Sequence, residues 1–117
     1  MARLAVVTGA SSGIGLAIAR VFAAAGYDLA LLAITPLERQ RALAEELAAA
    51  HRVRAVGYEA DVSDRASVAA FAHSVAEDLG EVDVLVNNAG VWTMTDPGVS
   101  PLDEFDRMVD VNLRGPF

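Results

Sequence analysis

The sequence predicts an α/β fold, a parallel sheet covered by helices. Three observations predict it. Short β-rich runs alternate with longer segments of helical period along all 117 residues. Hydrophobic residues make up 54% of the chain, much of it Ala, Val and Leu, which suits strands buried on both faces and the helices over them. A glycine-rich turn, Gly9 to Gly15, joins the first strand-like run to the first helix-like one.

Leu4 to Val7 reads as the first strand, ending at Thr8-Gly9. An apolar-periodic helix follows from about Gly13 to Ala25, with Gly26 placed to stop it. Asp28 to Ala33 is the second strand. Thr35-Pro36-Leu37-Glu38 reads as a helix start: threonine as cap, proline at the first helical position, glutamate completing a capping box. That helix is expected to run to about Ala50. Val53 to Tyr58 is the third strand, Ser63 is the expected cap of a helix ending before Gly80, and Val82 to Val86 is a fourth, nearly continuous apolar strand. A Gly-, Pro- and Thr-containing loop spans about Gly90 to Val99. Ser100-Pro101 then opens a last helix that runs to near Phe117. Strands and helices alternating in this way imply right-handed crossovers.

Charge and composition narrow the function. The formal net charge is −7, which disfavours nucleic acid and anionic membrane surfaces as partners. A phosphate-bearing ligand must be held locally, by backbone amides or a helix terminus. There is no cysteine, so disulfides, thiolate metal sites and cysteine nucleophiles are excluded, and a reducing cytoplasm is the expected location. The apolar N-terminus is interrupted at Gly9, which reads as a mature start, and no apolar stretch is long enough to span a bilayer. The nine basic residues are all arginine, so no mechanism needing a lysine amine is available within the sequence. His51 and His73 are far apart, no carboxylates cluster, and no metal site is expected. Glu45-Glu46 and Glu77-Asp78 read as solvated helix surface.

The strongest motif is Thr8-Gly9-Ala10-Ser11-Ser12-Gly13-Ile14-Gly15, directly after a strand and directly before a helix. Gly9 permits the sharp turn, Gly13 removes a side chain where a diphosphate would approach, and Gly15 permits close helix packing. First-turn amides, with Ser11 and Ser12 as hydroxyl donors, would cradle the anion. A bare tight turn is the competing reading.

This Thr-Gly-x-x-x-Gly-x-Gly pattern resembles the cofactor loop of short-chain dehydrogenases/reductases. Asp61-Val62 after the third strand, Asn87-Asn88-Ala89-Gly90 at the end of the fourth, and Asn112 within Val111-Asn112-Leu113 match the same family. The resemblance covers residues 1–117 as the dinucleotide-binding N-terminal half of a domain. It implies a Rossmann-type sheet of strand order 3-2-1-4, the truncated half of a doubly wound domain. By resemblance, Asp61 would accept a hydrogen bond from the adenine amino group, although an Asx-turn reading competes. Asn87 would tie the fourth strand to its neighbours, and Asn88, Ala89 and Gly90 would pass beside the adenosine ribose.

The implied cofactor is NAD or NADP, with the preference open. An acid at the end of the second strand would favour NAD and a basic residue there would favour NADP. Leu32-Ala33-Ile34-Thr35 supplies neither, and Ser12 occupies the loop position. Thr35, Arg39 or Arg41 would have to reach a 2′-phosphate, yet Arg39 and Arg41 read first as solvated surface charge. The implied reaction is hydride transfer between a nicotinamide and a small carbonyl or alcohol substrate. It uses a serine and a Tyr-x-x-x-Lys pair, because a phenol of pKa near 10 needs a cationic neighbour. Tyr27 and Tyr58 stand too early, and Tyr58 is followed four places on by Val62. Asn112 is thus the one member of the catalytic group in this sequence, and the chain by itself is expected to be inactive. Trp92 would line a substrate or nicotinamide cleft, or cover the loop's own small core. The apolar fourth strand, an edge in this order, is expected to pair in a homo-oligomer or with a partner chain. The competing functional readings are a non-catalytic nucleotide-binding or assembly module and, behind it, a Rossmann-type methyltransferase.

Overall fold

The computed structural model describes residues 2–91 and 102–117. Four strands, β1 (Leu4–Thr8), β2 (Asp28–Ala33), β3 (Ala55–Glu59) and β4 (Val84–Val86), pair in parallel in the order β3-β2-β1-β4. This is the expected order. The helices are α1 (Gly13–Ala24), α2 (Leu37–His51), α3 (Arg65–Asp78) and α4 (Leu102–Val109), the last continuing into a π-helical turn, Asp110–Arg114.

Both central strands are buried along their whole length, and their side chains alternate between two cores. Ala5, Val7, Leu29 and Leu31 face Ala19 and Ala23 of α1 and Ala44 and Leu47 of α2. Leu4, Val6 and Ala30 face Val75 and Leu79 on the α3 side. Leu29 and Leu31 are fully buried, and each such side chain contributes about 2–3 kcal/mol. Edge-to-face aromatic pairs, Phe22–Tyr27 and Tyr58–Phe71, close the flanks.

Several element ends differ from expectation. Helix α2 begins at Leu37, and neither Thr35 nor Glu38 caps it. The Thr35 hydroxyl is drawn instead to Gln40 Oε1, 3.0 Å away, and Glu59 accepts from the Leu37 amide at 3.2 Å. Asp64, not Ser63, caps α3, accepting from the Ala66 and Ser67 amides, because Ser63 is engaged by Asp61. Strand β3 starts at Ala55 because Arg52 ends α2 in a left-handed conformation, φ 56°, and redirects the chain. Gly26, φ 87°, follows α1 as its stop. Strand β4 is shorter than expected and leaves out Val82, which is 46% exposed, and it is not buried on both faces, because Leu85 is 56% exposed. The expected loop to Val99, the Ser100-Pro101 helix start and Trp92 lie outside the described residues.

Candidate functional site

The C-terminal ends of β1, β2 and β4, the turn after β3, and the start of α1 converge on one cleft of about 610 Å³. Its floor is the glycine-rich turn. Gly9 (φ 65°) and Gly13 (φ 57°) take left-handed backbone, and Ser12 between them is extended. A Cβ at Gly13 would meet no atom within 4 Å, so the backbone there lies open to the cleft. Gly15 is the opposite case. A Cβ there would run into the Gly9 carbonyl oxygen and the Asn88 side chain. Gly15 therefore lets the helix start press on the turn itself, a closer contact than the helix–sheet packing anticipated. The first-turn N–H groups of α1 have no intrahelical acceptor, and no acidic residue stands among them. Gly9, Ser11, Ser12, Gly13 and Ile14 all line the cleft, and Ile14 is 73% exposed there.

The β4 wall is tied to this floor by Thr8, the first residue of the motif, to which the sequence assigned no role of its own. Its hydroxyl accepts from the amides of Asn88 (3.0 Å) and Ala89 (2.9 Å) and donates to the Val86 carbonyl (3.3 Å). The Asn88 side chain donates to the Gly9 carbonyl at 3.2 Å. Asn88, rather than Asn87, thus joins the strand end to its neighbour; Asn87 is exposed. Asn88, Ala89 and Gly90 line the cleft as anticipated. Asn112, in the π-helical turn, stands behind them. Its amide accepts from the Val91 N–H and donates to the Val91 carbonyl, both at 2.8 Å, as a neighbouring strand would.

The third wall carries Ile34, Thr35, Asp61 and Val62. Asp61 Oδ1 accepts from the Ser63 amide (2.9 Å) and hydroxyl (2.6 Å), so the Asx turn weighed against the ligand reading is formed. Both bonds fall on Oδ1 and leave Oδ2 out of the turn. The Ser63 bonds, helped by the charge of Arg107, hold the Asp61 carboxyl below its ordinary range despite some desolvation. It is therefore a carboxylate at neutral pH, an acceptor suited to an amine donor. Arg107 and Val111, one helical turn apart, also line the cleft and were missed; their i, i+4 spacing was the available signal.

Two residues of α2 act at this wall. Arg39 sets its Nε and Nη2 on the Ser11 carbonyl, at 3.0 and 2.8 Å, so it is a clasp on the turn and not loose surface charge. Gln40 is completely buried and bonded to Thr35. Arg41 lies elsewhere, in the groove between α2 and β3.

Remaining candidates are remote from acid–base work. Burial, and then the bond it donates to Asp78 at 2.8 Å, push the Tyr58 phenol above its ordinary pKa, the wrong direction for a general base. His73 pairs with Glu77 at 3.1 Å on the surface. Among the described residues no three His, Cys, Asp or Glu side chains gather as metal ligands, and no helix is long and apolar enough to cross a membrane. The site can bind an anion through neutral N–H donors beside one carboxylate.

Comparison with known proteins agrees with this geometry. The family model for short chain dehydrogenase matches residues 3–117. The chain is 41% identical over 120 residues to 2-(R)-hydroxypropyl-CoM dehydrogenase of Xanthobacter autotrophicus, covering 100% of this chain and 48% of that protein. It is 41% identical over 118 residues to D-threitol dehydrogenase of Mycolicibacterium smegmatis, covering 98% and 44%. Among solved structures, the alcohol dehydrogenase of Thermococcus sibiricus complexed with 5-hydroxy-NADP superposes with TM-score 0.93 at 42% identity, over 98% of this chain and 48% of that one. L-sorbose reductase of Gluconobacter frateurii, complexed with NADPH and L-sorbose, gives 0.92 at 32% identity, over 98% and 43%. The chain spans less than half the length of each of these relatives.

Proposed function

Since this chain belongs to the short chain dehydrogenase family, we propose that its cleft holds the adenosine diphosphate half of a nicotinamide dinucleotide, NAD(H) or NADP(H). One observation carries the proposal: the open left-handed backbone at Gly13 above the first-turn amides of α1, which have no intrahelical acceptor. In this reading the amides of Gly13, Ile14 and Gly15 hold the diphosphate. Asp61 accepts from the adenine amino group, Val62 flanks the adenine, and Thr35 and Asn88–Gly90 border the ribose. The bound dinucleotide supplies hydride chemistry. The chain's own residues bind and orient it, and Asn112 holds the Val91 backbone beside it.

The whole protein, on this proposal, is an oxidoreductase that moves a hydride between the cofactor and a carbonyl or alcohol carbon. With no lysine in the sequence, the 117-residue chain alone binds cofactor weakly and turns nothing over. NADH and NADPH titrated into the folded, isotopically labelled chain should move the Gly13, Ile14 and Gly15 amide resonances. If those resonances stay still at millimolar excess, the binding proposal fails; dehydrogenase activity from the purified chain would overturn the second part.

The exposed Leu85 on β4, paired only to β1 among the described strands, favours a second reading. The β4 edge is then an assembly surface, for a second copy or a partner strand. Size-exclusion chromatography at micromolar protein should give a dimer or larger, and a clean monomer counts against it.

A further inference from the structure

Helix α2 buries Gln40, Ala44 and Leu47. The spacing i, i+4, i+7 is the stripe that faces the sheet. A long amide in that stripe is costly unless every polar atom is partnered. Gln40 Nε2 lies 3.1 Å from the Ala33 carbonyl oxygen, 2.8 Å from that of Thr35 and 3.2 Å from that of Tyr58, and Oε1 lies 3.0 Å from the Thr35 hydroxyl. Three carbonyl oxygens around the nitrogen admit one orientation of the amide, because the flipped form would aim Oε1 at three acceptors. Oε1 carries no hydrogen, so the Thr35 hydroxyl must donate its single hydrogen to it. The Thr35 oxygen then has lone pairs alone to offer the cleft it lines.

The neighbouring strand accommodates this arrangement. A Cβ at Gly57 of β3 would run into the Gln40 carbonyl and lie 2.7 Å from the Arg41 nitrogen. Glycine there lets α2 sit low enough for the amide to reach β2 and β3 together.

We infer that Gln40 is a positioning residue of the cleft. It fixes the turn between β2 and α2 and makes Thr35 an obligate hydrogen-bond acceptor, matched to a free ribose hydroxyl and not to a phosphate ester. The inference rests on the cleft being a dinucleotide site. Dinucleotide folds commonly place an acid at this turn to accept from the ribose 2′-hydroxyl. Here Ala33-Ile34-Thr35 brings no acid, and a hydroxyl polarised by a buried amide takes the acceptor role without a charge. A 2′-phosphate carries acceptors where an acceptor already stands. Arg39 turns Nε and Nη2 to the Ser11 carbonyl, two of its five N–H donors. The resulting choice of NADH differs from the NADP-type ligands in the two solved relatives above.

The test is calorimetric titration of NADH and NADPH into the 117-residue chain and three variants, Thr35→Val, Gln40→Met and the double variant. The unsubstituted chain should favour NADH by about tenfold, and Thr35→Val should weaken NADH about fivefold while leaving NADPH within about twofold, the worth of one hydrogen bond. Gln40→Met should narrow the NADH to NADPH ratio in the same way, and should narrow it no further once Thr35 is Val. A merely structural Gln40 would weaken both nucleotides alike and show no coupling to Thr35, which would overturn the assignment. So would a preference for NADPH in the unsubstituted chain. If Gln40→Met does not fold, the Thr35→Val ratio decides alone. Failure of the unsubstituted chain to bind either nucleotide removes the cleft reading and this inference with it, whereas binding without coupling removes the Gln40 role alone.

Discussion

Thr8→Val tests the join between the two halves of the cleft floor. Valine has nearly the shape of threonine, so the substitution leaves no cavity and isolates the hydroxyl. Thr8 is 6% exposed, and its Oγ1 accepts from two amides, Asn88 and Ala89, that belong to a strand end about eighty residues away. Removing the acceptor orphans both donors, at about 1–3 kcal/mol for each if fully buried. Asn88 and Ala89 are half-buried, so water reaches them in part, and the lower end applies: about 2–3 kcal/mol in total. For a domain of this size that lowers the melting temperature by roughly 6–12 °C. Urea denaturation followed by circular dichroism measures it, with Thr8→Ser as the control that restores the acceptor and most of the stability. A Thr8→Val chain within about 0.5 kcal/mol of the original, the range of an ordinary surface change, would refute the reasoning, because the two amides would then be finding other acceptors.

Three further outcomes are expected. Gly13→Ala should cost only the left-handed backbone penalty, about 1–2 kcal/mol, yet weaken NADH at least about tenfold, because its Cβ enters open cleft where a ligand oxygen would sit. Gly15→Ala should be the more destabilising of the two in a thermal melt, because its Cβ meets the Gly9 carbonyl; the reverse order would contradict the geometry. The Ser63 hydrogen bonds lower the Asp61 pKa in the folded chain, so the folded form takes up its proton less readily than the unfolded one. The associated stability is complete above the unfolded value of about 3.9 and is lost as pH falls through the lower folded value. Urea midpoints from pH 7 down to pH 3 should fall less steeply for Asp61→Asn, and parallel curves would show that the Asx turn contributes no such linkage.

Much of this architecture was legible in the residues because its determinants are local. Leu4–Val7 and Asp28–Ala33 are apolar runs bounded by turn residues, and they became the two buried strands. Gly9, Gly13 and Gly26 stood out as a turn, a gap for a ligand and a helix stop, and the backbone at each takes positive φ. What stayed hidden depends on partners distant in sequence. Thr35 and Ser63 both have the chemistry of a helix cap, and each gave its hydroxyl to a nearer demand, Gln40 in one case and Asp61 in the other. Thr8 looked like a strand terminus until β4 came to rest beside it. Arg39 has the look of surface charge in a helix of charged residues, and its acceptor lies 28 positions earlier. Gln40 was readable in principle: it falls on the apolar stripe with Ala44 and Leu47, and a polar residue on such a stripe asks for partners. For Val82–Val86 the edge position was anticipated and is observed; its length was not, because an apolar run reports preference for burial and does not set how many residues the one paired strand engages.

The clasp of Arg39 on Ser11 has a mechanical consequence. The next residue along the same helix grips the opposite side of the cleft mouth through the Ala33 and Thr35 carbonyls. Two adjacent positions on one stiff rod therefore set the gauge of the opening, and α2 is seated against β3 by a glycine that permits no slack. The Gln40 side of the mouth is buried and bonded to two carbonyls, while the Arg39 side is held by an exposed side chain. The spacing of the two sides of the mouth is thus tied to the seating of α2 on β3.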